Sequence, residues 1–249
     1  MQSYSSTNPN ALTPVVKNLL IINGLLFLAK FILAKRGVDL DTLFGLFHPY
    51  SSDFRPWQLL THMFMHADIR HIFGNMLGLF FFGRMLEARW GGQRFLFFYL
   101  ISGFSAVLLH YGIIHYQMIQ LMANMSPEFI ALAKERGVDL YNSGNFFNRP
   151  DLVQLGIYIG VPTIGASGAV FGILGGCLIL FPNTQLYLLF PPIPIKLKYA
   201  ITFYGLYELF SGIANIPGDN IAHFAHLGGL AAGIILVKYW NKTRRDSFF

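Results

Sequence analysis

The sequence predicts an all-α membrane protein, a bundle of six transmembrane helices, and three observations predict it. Of 249 residues, 54% are hydrophobic and only 12% charged, with a mean hydropathy of +0.48. An ordinary soluble domain carries about 25% charged residues, and one globular core of this length cannot hide so many apolar side chains behind so few charges. Six stretches are apolar over about 20 residues, enough to cross the hydrocarbon core as helices. Threading those six through a bilayer collects the basic residues on one side. The same composition excludes a soluble enzyme, and the single cysteine excludes an internal disulfide framework and a cysteine-built zinc site.

The spans run from about Thr13 to Leu33, Ile69 to Ala88, Arg94 to His115, Thr163 to Phe181, Tyr199 to Ile216 and Ile221 to Trp240. They define a membrane domain over 13–240 between an N-terminal tail, 1–12, and a C-terminal tail, 241–249. A further apolar run, Leu186 to Ile195, is too short and is interrupted by Pro191, Pro192 and Pro194, so it reads as a connecting loop. The N-terminus lacks the basic, apolar, small-residue order of a cleaved signal peptide, so the first span is expected to stay.

Six spans put both termini on one side. That side carries ten basic residues, among them Arg84, Arg89, Arg94, Lys196, Lys198 and Lys238, against Glu87 and Asp246. The opposite side carries seven basic and nine acidic residues. Basic loops stay inside, so both termini are expected in the cytoplasm, and a bacterial cytoplasmic membrane is the expected address. The net charge of +6 then answers to topology and anionic membrane lipid rather than to nucleic acid.

Two outer connections are long, about 35–68 and about 116–162. The second is expected to open with an interfacial helix, Gln117 to Arg136, interrupted near Pro127. The pentapeptide Arg-Gly-Val-Asp-Leu occurs in both, at 36–40 and 136–140. The segment Ile213–Asn220 has the composition of a mobile cap over the outer end of the bundle.

Polar side chains inside spans are costly, which makes them functional or packing devices by default. Three groups occur near the outer ends of their spans. His71 and Asn75 are spaced i, i+4 and share a helical face. Gly165-Ala166-Ser167-Gly168 opens the fourth span, where unpaired backbone N–H groups face outward, and Gly168, Gly172 and Gly176 continue it as a close-packing stripe. Ala225-His226 opens the sixth span, with Gly229 and Gly233 forming another such edge. Each group alone also fits helix packing. At a common depth they supply a nucleophile, a base and oxyanion donors, the parts for acyl transfer. Ser167 would pass its proton to His226, while His71, Asn75 and the backbone N–H groups around Ser167 would hold the oxyanion. Asp219 and Glu208 have no spacing argument linking them to His226, so the expectation is a Ser–His dyad. Packing holds its imidazole, with Phe171, i+4 from Ser167, as the supporting ring.

Over residues 13–240 these motifs resemble the rhomboid family of intramembrane serine proteases. The likeness rests on Trp57, His62–Met65–His66, His71 and Asn75, and Gly83-x-x-x-Glu87-x-x-x-Gly91. It continues in Gly165-Ala166-Ser167-Gly168 and Ala225-His226-x-x-Gly229-x-x-x-Gly233, in family order. The resemblance implies a six-helix rhomboid-like bundle with a wet cavity and a peptide-hydrolysing dyad of Ser167 and His226. It also implies an oxyanion site of His71, Asn75 and the Ser167 amide, structural roles for His62 and His66, transmembrane protein substrates admitted between the second and fifth spans, and no cofactor. Two departures stand out: the long connection between spans three and four, and Phe171 where some relatives have tyrosine. Two other readings compete. One is a metal-dependent hydrolase built on His62, His66 and His71 with Asp68, although no glutamate lies between the first two histidines to act as base. The other is a non-catalytic adaptor or transporter that binds membrane helices.

Overall fold

A computed structural model describes residues 12–143, 149–187, 193–214 and 221–245. The described chain is helical apart from one small hairpin. Helix α1 (Pro14–Ala34) opens with proline at its first position, where no N–H is required. The next two amides, Val15 and Val16, each donate 2.8 Å hydrogen bonds to the two carboxylate oxygens of Glu87. A buried carboxylate from another helix therefore caps α1, meeting both its unpaired N–H groups and its positive dipole end. Only Val16, Leu19 and Asn23 of α1 are buried, Val15 and Leu20 pack partly against the core, and Ile21, Leu25, Leu28, Phe31 and Ile32 face outward.

The first long connection holds two short helices, α2 (Leu40–Phe44) and α3 (Gln58–Thr61), and a 3₁₀ turn, His62–Phe64. Its hub is Gln58, fully buried: Oε1 accepts from Phe47 and Arg55 N–H, and Nε2 donates to the Thr42 and Asp53 carbonyls. The connection is pinned to the bundle at several places. Leu46 and Thr163 exchange backbone hydrogen bonds of 2.9 and 2.8 Å, and Lys30 reaches out of α1 to the carbonyls of His66 and Ala67 and to Asp41.

The expected second span is continuous but not uniform: α4 (Ile69–Gly78), a π-helical turn (Leu79–Gly83) and α5 (Arg84–Trp90). Gly91, at φ +79°, then reverses the chain into α6 (Gly92–Met122). Helix α6 runs on past His115 and absorbs the first residues of the expected interfacial helix. Pro127 does not interrupt a helix; it begins one, α7 (Pro127–Asn142), with the Ser126 hydroxyl accepting from Phe129 N–H. Helix α8 (Pro150–Gly160), which the sequence reading lacked, packs on α7 so tightly that a Cβ on Gly137 would overlap the Gly156 backbone. These two helices and the end of α6 enclose a second core around Met118, Ala133, Leu152 and Leu155.

The repeated pentapeptide adopts two conformations. At 36–40 it is a turn through Gly37, φ +80°, followed by Asp39 capping α2; at 136–140 it lies inside α7. Its likeness is one of sequence, with context deciding the structure.

Helix α9 (Ser167–Leu180) is the axis of the bundle, and every residue from Gly168 to Cys177 is buried. It is apolar on all sides, as a central helix must be. At 14 residues it is about 21 Å long, shorter than the expected span, because residues 163–166 precede it as non-helical chain. The run expected to be a plain loop carries a two-stranded antiparallel hairpin, β1 (Gln185–Tyr187) and β2 (Pro194–Lys196). Helices α10 (Leu197–Ala214) and α11 (His223–Arg245) complete the bundle. Of the six expected spans, α1 and α6 are helices that are long and apolar enough by themselves to cross a bilayer.

The glycine stripe of α9 does what its spacing predicts. A Cβ on Gly229 or Gly233 of α11 would overlap the carbonyl oxygen of Gly168 or Gly172, and one on Gly172 would overlap Ser102 of α6. Helices α9 and α11 therefore meet backbone to backbone, while α6 presents only the small side chains of Ser102 and Ala106 to the same glycines. Gly233→Ala is expected to cost about 1–3 kcal/mol of stability, read as a lower unfolding midpoint in detergent. An unchanged midpoint would mean that α11 shifts at no cost.

Candidate active site

Ser167 is the first residue of α9, following a backbone that only glycine accommodates. Gly165 sits at φ +132°, and a Cβ there would fall 2.7 Å from His71 Nε2 and 3.5 Å from Ser167 Oγ. The glycine thus leaves open the point on which the imidazole and the hydroxyl converge. Its own N–H donates to the His62 carbonyl at 2.9 Å, and the His62 ring, through Nδ1–H, donates to the Gln58 carbonyl. Gln58, His62 and Gly165 form a chain of contacts that carries the order of the first long connection to the start of α9. Sequence reasoning passed over Gln58, which has no motif to mark it.

His71 and Asn75 stand on one face of α4, whose N-terminus is capped by Asp68 accepting from the Arg70 and His71 N–H groups. Ala67 N–H donates to His71 Nδ1, which leaves the ring proton of neutral His71 on Nε2, the nitrogen turned towards Gly165 and Ser167. Asn75 is 7% exposed, and its Nδ2 is buried without a hydrogen-bond partner. A buried amide donor left unmatched costs free energy, and such atoms cluster where an acceptor is to be received.

His226 lies in the first turn of α11, opposite the start of α9. The Phe171 ring stacks on its imidazole, with centroids 4.3 Å apart and planes 5° from parallel. The expected contact between residue 171 and the histidine is thus present, and a phenyl ring suffices to make it. Beyond it the structure gives His226 a neighbour that spacing did not reveal. Glu208 of α10, 2% exposed, places Oε2 2.6 Å from His223 Nδ1 and 2.9 Å from His226 Nδ1. The signal available in the sequence was a carboxylate in an apolar helix and two histidines spaced i, i+3, but no rule of spacing joins α10 to α11. His110 of α6, which the sequence reading did not single out, lines the same space.

Ser167, His71, Asn75, Phe171 and His226 all line one cavity of about 980 Å³. Gly168 packs beneath it against Ala106. Gln154, Ile157 and Tyr158 of α8 form part of its wall, so the long second connection borders the cavity. The histidines proposed for a metal do not assemble: His62 is tied to Gln58, and among the described residues the one group of three ligating side chains is Glu208, His223 and His226. Residues 215–220 of the expected mobile cap lie outside the described residues.

Comparison with known proteins accords with this geometry. The family description "Rhomboid domain" matches residues 53–242. The chain belongs to the rhomboid family. It is 32% identical over 193 residues to the mitochondrial RHOMBOID-like protein 12 of Arabidopsis thaliana, covering 76% of this chain and 47% of that protein. It is 26% identical over 207 residues to Rhomboid-like protease 3 of Toxoplasma gondii, covering 80% and 57%. To the rhomboid protease GlpG of Klebsiella pneumoniae it is 25% identical over 214 residues, covering 85% and 59%. The chain spans between a third and a half of the length of the Arabidopsis relatives. The matched region takes in every residue of the cavity floor and leaves α1 outside.

Around the site, the histidines of the first long connection are held neutral. Burial pushes His62 down to about 4, and His66 to about 3 with a further contribution from His71. His48 is also lowered to about 4, by burial first and then by the charge of His115. Their ordinary value is 6.5, so between pH 6.5 and about 4 the unfolded chain takes up protons that the folded chain refuses. Stability is therefore fully present above about 6.5 and expected to fall as the pH drops towards 4. Unfolding midpoints at pH 7.5 and 5 read this directly, and equal midpoints would show that these imidazoles already accept protons in the folded protein.

Proposed function

We propose that this rhomboid is an intramembrane serine endopeptidase that cleaves membrane-spanning proteins near the outer face through Ser167 and His226. The observation that carries the reading is the convergence on one cavity of a hydroxyl, an imidazole braced by a stacked ring, and an unmatched buried amide. His226 Nε2 takes the proton from Ser167 Oγ as the oxygen bonds to the scissile carbonyl carbon. The carbonyl oxygen becomes an oxyanion held by Asn75 Nδ2, His71 Nε2–H and the free N–H groups of the first turn of α9. His226 then gives its proton to the leaving amine nitrogen as the C–N bond breaks. Water cleaves the resulting ester by the same transfers in reverse, restoring the serine.

A helical substrate hides its carbonyls in its own hydrogen bonds, so it must unwind to react. The cavity offers room for an unwound stretch, and α4 and α10 both contribute side chains to its wall. We infer access between them, a six-span arrangement with both termini on the cytoplasmic side, and a preference for small residues and helix breakers around the cut. Helix α8, which also borders the cavity, is placed to select among substrates.

Ser167→Ala and His226→Ala are each expected to abolish cleavage of a helix-destabilised transmembrane test substrate while leaving the unfolding midpoint in place. Near-wild-type turnover in either would refute the assignment and favour an adaptor that binds helices without cutting them. Asn75→Ala should lower kcat by about 10²–10³-fold with little change in KM, because its contact is made in the transition state; a loss confined to KM counts against an oxyanion role. Tyr158→Ala should change the ranking of substrates that differ beside the cut. An unaltered ranking would make α8 a structural element only.

A further inference from the structure

We propose that Glu208 is a positioning residue for the base, holding His226 with its proton on Nδ1 so that the Nε2 lone pair is free for Ser167. The inference rests on the assignment of Ser167 and His226 above. It adds a third member, a carboxylate borne on a different helix from either.

A glutamate buried in an apolar helix is costly unless its charge is met. Here the same oxygen, Oε2, is approached by two imidazole nitrogens, at 2.6 and 2.9 Å, and both are Nδ1. A carboxylate only accepts, so each close nitrogen is the one that carries hydrogen. For neutral His226 the nearby carboxylate favours the tautomer with hydrogen on Nδ1, which leaves Nε2 unprotonated. The separations also distinguish protons from a metal as the agent joining the three groups. Ligands about 2.0–2.1 Å from a tetrahedral zinc stand about 3.3 Å from one another. Both separations here are shorter than that, 2.6 Å in a hydrogen bond with His223 and 2.9 Å in an off-axis contact with His226.

His226 is held from two directions. Phe171 covers one face of the ring and fixes its plane; Glu208 meets its edge 2.9 Å from Nδ1. The oxygen lies off the Nδ1–H axis in the unliganded site, a looseness common before substrate tightens catalytic hydrogen bonds. When His226 takes the serine proton, an imidazolium forms beside the buried carboxylate, which balances it. His223, one turn earlier, makes the closer contact and holds the carboxylate in place. That contact also fastens α10 to α11, so a purely structural role for Glu208 is the alternative to be tested. Tyr204, one turn back on α10, lies against both Phe171 and the Glu208 carboxylate and closes the group from the side.

The test uses the full chain in proteoliposomes with a transmembrane test substrate. Glu208→Gln, whose amide can present N–H to Nδ1 and so favour the wrong tautomer, should lower kcat by 10²–10⁴-fold with KM within twofold. Glu208→Asp should recover at least tenfold of that loss. His223→Ala, which cuts the structural tie to the same carboxylate, should lower the unfolding midpoint at least as much as Glu208→Gln but cost at least tenfold less in kcat. Nitrogen-15 histidine spectra should show His226 protonated on Nδ1 in the wild type and shifted to Nε2 in Glu208→Gln. A kcat within threefold of wild type in Glu208→Gln, or an equal loss in His223→Ala, would overturn the proposal. If Glu208→Gln does not fold, the wild-type spectrum decides alone, and a His226 protonated on Nε2 overturns it. Retained turnover in Ser167→Ala or His226→Ala would remove the underlying assignment and this inference together. Loss in those two with Glu208→Gln unimpaired would remove this inference only.

Discussion

The architecture depends on backbone touching backbone. Helix α9 meets α11 where Gly168, Gly172 and Gly175 face Gly229, Gly233 and the Leu230 carbonyl, with no side chain on either surface to hold them apart. In an apolar solvent no hydrophobic effect drives helices together, so close approach over small residues is the main source of their attraction. That approach has a geometric consequence. It fixes the start of α9 against the start of α11 to within the tolerance of van der Waals contact, and those two starts carry Ser167 and His226. The device that holds the bundle together therefore also sets the depth and facing of the two groups proposed to react.

A second layer of order comes from the first long connection, which behaves as part of the bundle. Its buried Gln58 satisfies all of its hydrogen-bonding atoms, and the contacts through His62 and Gly165 pass that rigidity to the residue two positions before Ser167. At the other end of the molecule, Glu87 caps α1 with two amide hydrogen bonds. Both motifs appear in the sequence as isolated polar residues in apolar surroundings, and both resolve into backbone groups of another segment being satisfied. Helix α10 is different. Tyr199, Phe203, Leu206 and Phe210 face outward, and it leans on the bundle through a narrow face that includes Glu208. A helix bound along so narrow a face suits the entry proposed beside it, and it is also the helix that carries the carboxylate beside His226.

The long second connection is the chief departure from the compact pattern expected of the family. It folds as two helices with a core of their own, pressed together at Gly137 and Gly156, and one of them reaches the cavity wall. Its sequence gave an apolar stripe and a proline. The stripe was legible as an amphipathic helix, but Pro127 has two readings, a break within a helix or the first residue of one. Only the preceding Ser126, accepting from Phe129, decides for the second. The pentapeptide shared by the two connections makes the same point, since one sequence forms a turn where Gly37 takes a positive φ and a helix turn where Gly137 packs on Gly156.

The sequence by itself determined the helical class and the approximate location of all but one of the long helices, and it singled out Ser167, His226, His71 and Asn75 as candidates. Those features are local: apolar length, glycine at intervals of four, and polar residues where a bilayer tolerates few. Tertiary structure alone decided which groups share the base. Glu208 and His226 are 18 positions apart and sit on separate helices, so no periodicity relates them, and their meeting depends on the angle at which α10 leans on α11. It decided likewise that α8 borders the cavity and that Gln58 supports the serine. Contacts between elements depend on rotation and tilt about each helix axis, and those are set by how whole surfaces fit together rather than by any single stretch of residues.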